Sequence, residues 1–103
     1  MIIYNITLNI EESVETEWLI WMKQIHIPKV MKTGLFISSK MSKVLVEEQM
    51  GGITYSIQYS CENKEKLTDY QIRYAPKLQE EHAAKYPGKF VAFRTLLEVV
   101  SEF

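Results

Sequence analysis

The chain has 103 residues, 47% of them hydrophobic and 12% aromatic, so we expect a single domain over residues 1–103 with a substantial core. Its 12 basic and 13 acidic side chains give a net charge of −1, which argues against nucleic-acid binding through phosphate neutralisation. No apolar run approaches the roughly 20 residues of a membrane-spanning helix. The single Cys61 excludes an internal disulfide framework and indicates a reducing, cytoplasmic compartment.

The first predicted element is a strand in which apolar and polar residues alternate with period 2. Its apolar face consists of Ile2, Tyr4, Ile6, Leu8 and Ile10. The opposite face is polar but uncharged. A strand this apolar belongs in the middle of a sheet.

A helix is predicted to open at Glu11–Ser13, with an apolar stripe at helical spacing. The members of the stripe are Val14, Trp18, Trp21, Met22 and Ile25. Pro28 lacks a backbone donor and disfavours helical geometry in the preceding residue, which predicts a kink or stop near Ile27. One more turn is expected before Gly34.

The second strand is predicted over Leu35–Glu47, with Leu35, Ile37 and Met41 on one face and a bulge near Ser42-Lys43. Lys40 and Lys43 suit an edge strand, because charge discourages further pairing. The segment from Gln49 to Gly52 reads as the hairpin connection to the third strand.

The third strand, Ile53–Cys61, has the cleanest alternation in the chain. Asn63 is the expected N-cap of the second helix, and Pro76 is expected to break or restart that helix. Pro87-Gly88 ends it, and residues 90–100 form the fourth strand.

The order β-α-β-β-α-β predicts an α+β, ferredoxin-like fold: a four-stranded antiparallel sheet with two helices on one face. In this fold the first and third strands are central, which agrees with their regular alternation. The second and fourth strands are the edges.

Two features favour a homodimer. The sheet face away from the helices carries small uncharged polar residues where a solvated face would carry Lys and Glu; they are Asn5, Thr7, Asn9, Thr54, Ser56, Gln58 and Ser60. The fourth strand is apolar on both faces although it is an edge. Its candidate interface residues are Phe90, Phe93, Arg94, Leu96 and Glu98. Arg94 and Glu98 lie on one side and pair with each other or across the interface. The alternative is that the strand end folds over its own sheet.

His82 is the one candidate catalytic residue, as a general base or axial ligand in a pocket between helices and sheet. In the alternative interpretation its ring packs on Leu78 and Tyr86 while its tip reaches solvent. His26 meets His82 only if the two helices converge; the simpler interpretation is a histidine at a helix C-terminus, favourable to the helix dipole.

Aromatic residues on the helix side of the sheet form a candidate site for a small flat ligand. The candidate ligand-binding residues are Tyr55, Tyr59, Tyr74, Trp21 and His82. The alternative is that these rings are ordinary core. No metal-ligand spacing occurs, Cys61 is expected to be an inert core thiol, and no cofactor is specified.

Four segments carry a resemblance to a family of short bacterial proteins catalogued as a domain of unknown function. They are MIIYNITLNI, WLIWMKQIHIPKVMKTGLF, TYSIQY and LQEEHAAKYPGKFVAFRTLLEVV. The family's layout resembles the dimeric α/β-barrel superfamily, in which two ferredoxin-like sheets face each other with the helices outside. The resemblance therefore implies self-association through the uncharged sheet face.

Within that superfamily, haem-degrading and cofactor-independent monooxygenases use a pocket between helices and sheet. The haem-degrading members place an Asn on the first strand, a Trp late on the third and a His on the second helix. Asn5, Tyr59 and His82 stand at similar places here. The departures are Tyr in place of Trp, and the position of Asn5 on the face away from the helices.

Three functional hypotheses follow. The first is a homodimeric barrel protein that binds a small hydrophobic or flat ligand. The second is a haem-binding or cofactor-independent monooxygenase-like enzyme that uses His82. The third is a protein-interaction module that pairs through its C-terminal strand.

Overall fold

Four antiparallel strands and two interrupted helical runs make up the fold in the computed structural model, which describes residues 1–46 and 51–103. Within those ranges, no helix is both long and apolar enough to cross a membrane. The elements in chain order are β1 (Ile2–Ile10), a 3-10 turn (Glu12–Val14), α1 (Glu15–Trp21), a π-helical segment (Met22–His26), α2 (Ile27–Lys32), β2 (Ser38–Lys43), β3 (Ile53–Cys61), α3 (Lys64–Arg73), α4 (Ala75–Lys85) and β4 (Phe90–Glu98).

The strand order β2-β3-β1-β4, with every neighbouring pair antiparallel, confirms the predicted ferredoxin-like α+β fold. β1 and β3 are central, as their alternation predicted. Their register pairs Tyr4 with Tyr59 and Ile6 with Ile57, so the apolar faces of both strands lie side by side. Because successive strand residues point to opposite sides, this register places the whole core on one face of the sheet.

The core lies between that face and the helices, and most of its large members are aromatic. Burying them removes apolar area from water, which is the main stabilising term for a domain of this size. The largest fully buried side chains are Trp18, Tyr59, Tyr86, Ile10, Ile57, Val30 and Cys61.

The second strand departs from its prediction. Phe36 is buried, whereas Ile37 is 53% exposed and Ser38 is also exposed, so the alternation breaks at Ile37–Ser38. The predicted bulge near Ser42-Lys43 is wrong, because the register with β3 is unbroken through Lys43. The strand is also shorter than predicted, because residues 35–37 and 44–46 lie outside β2. Residues 47–50, which include the rest of the predicted strand and part of the predicted connection, lie outside the described part of the chain.

Two helix boundaries and one residue of the apolar stripe test the helix predictions. The Asn63 side chain accepts a hydrogen bond from the Lys66 backbone N–H at 2.9 Å, which confirms the predicted N-cap. The second helical run breaks at Tyr74 and restarts with Pro76 in its first turn, as predicted. The spacing placed Ile25 in the buried stripe of the first helix. That prediction is wrong, because Ile25 is 43% exposed.

Candidate functional site

A π-helical segment, Met22–His26, joins α1 to α2. The Ile27 N–H donates to the Met22 carbonyl five residues earlier, where an α-helix would use the carbonyl four residues earlier. Pro28 has no N–H and leaves one carbonyl of the preceding turn without its helical donor, which is a local reason for the wider turn. The wider turn changes the helical phase, so Ile25 faces solvent and His26 faces α4.

His26 therefore does not occupy the predicted C-terminal position, because the helical run continues as α2 to Lys32. The two helical runs converge instead, and the His26 and His82 ring centroids are 5.7 Å apart. His26 also stacks on Trp21 at 5.0 Å with an interplanar angle of 30°. Two histidines far apart in sequence thus belong to one cluster.

His82 is buried on α4, with only 6% of its surface exposed. The interpretation in which its tip reaches solvent is wrong. The Trp18 Nε1–H donates to His82 Nε2 at 3.0 Å, so the proton of the neutral imidazole sits on Nδ1. The Phe90 ring lies 4.2 Å away, edge-on, and the Trp21 ring lies 5.6 Å away.

Both histidines are neutral at physiological pH. Burial, with the nearby His26 and Arg94 as smaller contributors, lowers the pKa of His82 to about 4. Burial also lowers the pKa of His26 to about 4; Glu81 opposes this shift and Lys29 adds to it. The rings therefore offer neutral donor and acceptor nitrogens.

A pocket of about 260 Å³ lies between the sheet, the π segment and α4. It is located above Ile6, which explains why this residue is only half-buried although it faces the helices from a central strand. Gln79 and Ala83 on α4 and Arg94 on the helix side of β4 are exposed residues of the lining, so the mouth opens between these elements. The inner lining consists of Ile6, Leu8, Met22, His26, Ile57, Tyr59, His82, Phe90 and Ala92.

Two buried polar atoms of lining residues have no hydrogen-bond partner among the described residues: the Tyr59 hydroxyl and His26 Nδ1. Tyr59 is 1% exposed, and burial, with Tyr70 and Tyr4 nearby, raises its pKa, so its hydroxyl stays protonated and is a donor. Most buried polar groups in folded proteins are paired. An unpaired hydroxyl beside a pocket therefore points to a partner that enters the pocket.

Arg94 crosses the rim of the pocket from β4. Its Nε donates to the Tyr4 hydroxyl at 2.9 Å, and the ion pairs among the described residues of the protomer do not include the predicted Arg94–Glu98 pair. The register places both residues on the helix side of β4, opposite Ile6 and Ile2 of β1. Arg94 thus lies at the pocket mouth.

The predicted ligand-binding residues separate into three groups. Tyr59 and His82 line the pocket, and Trp21 packs on His82 behind it. The Tyr55 hydroxyl donates to the Glu15 carboxylate at 2.6 Å, outside the lining. Tyr74 lies in a different surface groove with Lys29 and Arg73.

Sequence reasoning did not assign His26, Gln79 or Arg94 to a ligand site. Pro28 was a signal for a helix irregularity near His26, but the direction in which the ring turns depends on α4. Arg94 was placed at an interface because strand parity does not show that a pocket opens beside it. Among the described residues, no group of three His, Cys, Asp or Glu side chains converges as a metal site.

The helix-free face of the sheet carries the small polar residues that the sequence placed there. Asn5 accepts from the Ser56 hydroxyl at 2.7 Å and donates to Thr7 at 3.2 Å. Asn5 is therefore on the opposite side of the sheet from Tyr59 and His82. On β4 the same face exposes a strip of apolar side chains: Val91 (71%), Phe93 (63%) and Leu97 (43%).

The sequence profile of one family, "Domain of unknown function (DUF4286)", matches residues 1–100, so the chain belongs to this family. None of the curated proteins compared matches the chain. The sheet order and helix placement agree with solved structures at low sequence identity, which shows the fold alone.

A dimeric ferredoxin-like protein from an uncultured marine organism has a TM-score of 0.74 at 18% identity, with 100% of this chain and 98% of that chain covered. An ethyl tert-butyl ether d (EthD) family protein from Bacillus halodurans has a TM-score of 0.70 at 18% identity, covering 97% and 100%. A variant of MhuD, crystallised with two manganese protoporphyrin IX molecules per active site, has a TM-score of 0.70 at 15% identity, covering 100% and 98%.

Proposed function

We propose that this member of the DUF4286 family is a homodimeric α/β barrel that binds a small, flat, largely apolar ligand in the pocket between α4 and β4. The observation that carries the proposal is Tyr59, a residue of the pocket lining whose buried hydroxyl has no hydrogen-bond partner among the described residues. Leaving a buried hydroxyl unpaired costs about 1–3 kcal/mol. A ligand that accepts its hydrogen bond recovers this energy on binding.

The dimensions of the pocket favour a small ligand. Its volume of about 260 Å³ is below the roughly 300–1,000 Å³ of pockets for drug-sized molecules. Ile6 and Ile57 give the lining an apolar floor, and Phe90 and His82 add two rings on which a flat ligand can pack. One or two fused rings with an oxygen substituent suit this space.

Two adjacent alanines on α4 allow a matched test of ligand binding in the pocket. Ala83 lines the pocket, whereas the neighbouring Ala84 is exposed and outside the lining. We expect 2-naphthol to shift the NMR signal of the Trp18 indole N–H in a saturable way. Ala83→Leu should weaken that binding at least tenfold, and Ala84→Leu should leave it unchanged. Equal affinities in the two variants would contradict the pocket as the binding site.

The haem alternative does not fit these residues. The Nε2 of His82, the nitrogen that would ligate iron, already accepts the Trp18 hydrogen bond, and Asn5 lies across the sheet. The pocket is also small for a porphyrin. Addition of haem should therefore produce no Soret shift that depends on His82.

Self-association is proposed through the helix-free face. Its polar members are uncharged, and Val91, Phe93 and Leu97 form an exposed apolar strip beside them. Contiguous apolar surface of this kind usually marks an interface. The similar structure from the marine organism is described as dimeric, which supports self-association.

Two apolar residues of similar exposure, Phe93 (63%) and Ile72 (71%), give a matched test of the dimer. Phe93 lies on the helix-free face of β4, and Ile72, 71% exposed, lies on α3 away from the sheet. Light scattering after size-exclusion chromatography should report a dimer for the wild type and for Ile72→Lys, and a monomer for Phe93→Lys. A monomeric wild type at micromolar concentration would overturn the dimer. A dimer that survives Phe93→Lys would move the interface to another surface, such as the free edge of β4.

We further infer a bacterial, cytoplasmic setting. The one cysteine, Cys61, is a buried free thiol. Free thiols persist in reducing compartments.

A further inference from the structure

Arg94 is a cation at the pocket mouth, and it forms no ion pair with a carboxylate of the described residues. Among the described residues, the ion pairs within 4.0 Å are Lys29–Glu81, Lys66–Glu62, Arg73–Asp69 and Lys89–Glu11. The described lining of the pocket contains no acidic residue, and its two histidines are neutral. The pocket therefore carries one uncompensated positive charge.

The guanidinium of Arg94 is held in place by its Nε, which donates to the Tyr4 hydroxyl at 2.9 Å. Tyr4 is 2% exposed and belongs to the rigid central strand, so it is a stable anchor. The two terminal nitrogens have no partner among the described residues. A planar guanidinium with both terminal nitrogens available matches a carboxylate through two parallel hydrogen bonds.

The opposite end of the pocket presents a donor. The Tyr59 hydroxyl is protonated, buried and unpaired, and it lies on β3, one strand further from the mouth than Ile6. Between Arg94 and Tyr59 the floor is formed by Ile6 and Ile57. From the mouth inwards, the pocket therefore presents a fixed cation, then an apolar floor, then a neutral donor.

We infer that the ligand is a small flat carboxylic acid with a second oxygen: Arg94 binds the carboxylate at the mouth, and Tyr59 donates to the second oxygen inside. This inference rests on the proposed pocket and specifies the chemical class of its ligand. A carboxylate is the planar, singly charged group whose two oxygens match the two free terminal nitrogens of one guanidinium.

The test compares 4-hydroxybenzoate with 4-hydroxybenzamide, two probes of the same shape that differ in charge. Affinities are measured from the Trp18 indole N–H signal. We expect the acid to bind the wild type at least about tenfold more tightly than the amide. Arg94→Gln should reduce that preference to less than about twofold, and Arg94→Lys should retain part of it. The control Arg73→Gln removes a cation on α3, outside the pocket, and should change nothing.

The outcomes separate the inference from the proposed function. Equal affinity for acid and amide in the wild type overturns the carboxylate inference but leaves the pocket proposal intact. A preference that survives Arg94→Gln overturns the role of Arg94. If neither these probes nor 2-naphthol bind, both proposals fail. Should Arg94→Gln not fold, the acid preference is measured in the wild type against salt: it should fall as salt rises, and a salt-independent preference contradicts the inference.

Discussion

Two ends of the layer between helices and sheet differ in how they use aromatic rings. The tyrosine end consists of Tyr4, Phe36, Tyr59 and Tyr70, and the histidine end of Trp18, Trp21, His26, His82 and Tyr86. At the tyrosine end, Phe36 lies 4.7 Å from Tyr70 and 5.1 Å from Tyr59, at distances typical of favourable ring pairs. At the histidine end, burial keeps two titratable rings uncharged.

The difference shows that packing stabilises the tyrosine end more than the histidine end. A phenylalanine packed among tyrosines gains free energy from every contact. A buried histidine with an unpaired nitrogen gains little, because desolvating a polar group without a partner is unfavourable. The pocket lies between the two ends, with Tyr59 on one side and His26 and His82 on the other. Departures from good packing that cluster beside a cavity are typical of functional sites.

The largest effect is expected at the tyrosine end. Phe36→Ala should lower the free energy of unfolding by about 3–5 kcal/mol, since it leaves a cavity among three rings. The neighbouring Ile37 is 53% exposed, so Ile37→Ala is the control and should cost less than about 1 kcal/mol. Urea unfolding measures both. Similar losses for the two variants would contradict the assignment of Phe36 to the core.

A smaller effect is expected from pH at the histidine end. The pKa values of His26 and His82 are lowered from 6.5 to about 4 in the folded state, so the unfolded chain binds protons first as the pH falls. Stability should therefore be unaffected by these groups above pH 6.5 and should decrease between pH 6.5 and 4.

Urea unfolding at pH 7 and pH 5 should reveal a loss on the order of 3–4 kcal/mol from these two groups. His82→Gln keeps an acceptor for Trp18 but does not titrate, so it should remove about half of the loss. An unchanged pH dependence in this variant would show that His82 is accessible and protonated in the native state.

The smallest effects on stability are expected from replacing each histidine by Phe, and the two positions should differ. His26→Phe keeps the stack on Trp21 and removes an unpaired nitrogen, so stability should change by less than about 1 kcal/mol while binding of 2-naphthol weakens. His82→Phe leaves the Trp18 indole N–H without its acceptor and should cost roughly 1–3 kcal/mol. Equal losses at the two positions would mean that His26 is a structural residue only.

Much of the fold was predictable because its signals are local. Alternation in Ile2–Ile10 and Ile53–Cys61 identified the central strands, and Asn63 and Pro76 located helix boundaries through caps and missing donors. Phe36 was missed because the alternation breaks at Ile37–Ser38, and no residue there signals the break. The pocket was foreseen only in general terms, as a ligand site with Tyr59 and His82 in its lining.

By itself, the sequence determined the strand order, the helix-covered core and an uncharged opposite face, since period and parity depend only on neighbouring residues. Tertiary structure alone decided the site. The Trp18–His82 hydrogen bond joins residues 64 positions apart, and the Arg94–Tyr4 bond joins residues 90 positions apart. Such contacts depend on how the helical runs pack on each other and on where β4 lies beside β1. No local pattern specifies those quantities, because they are settled by packing across the whole layer.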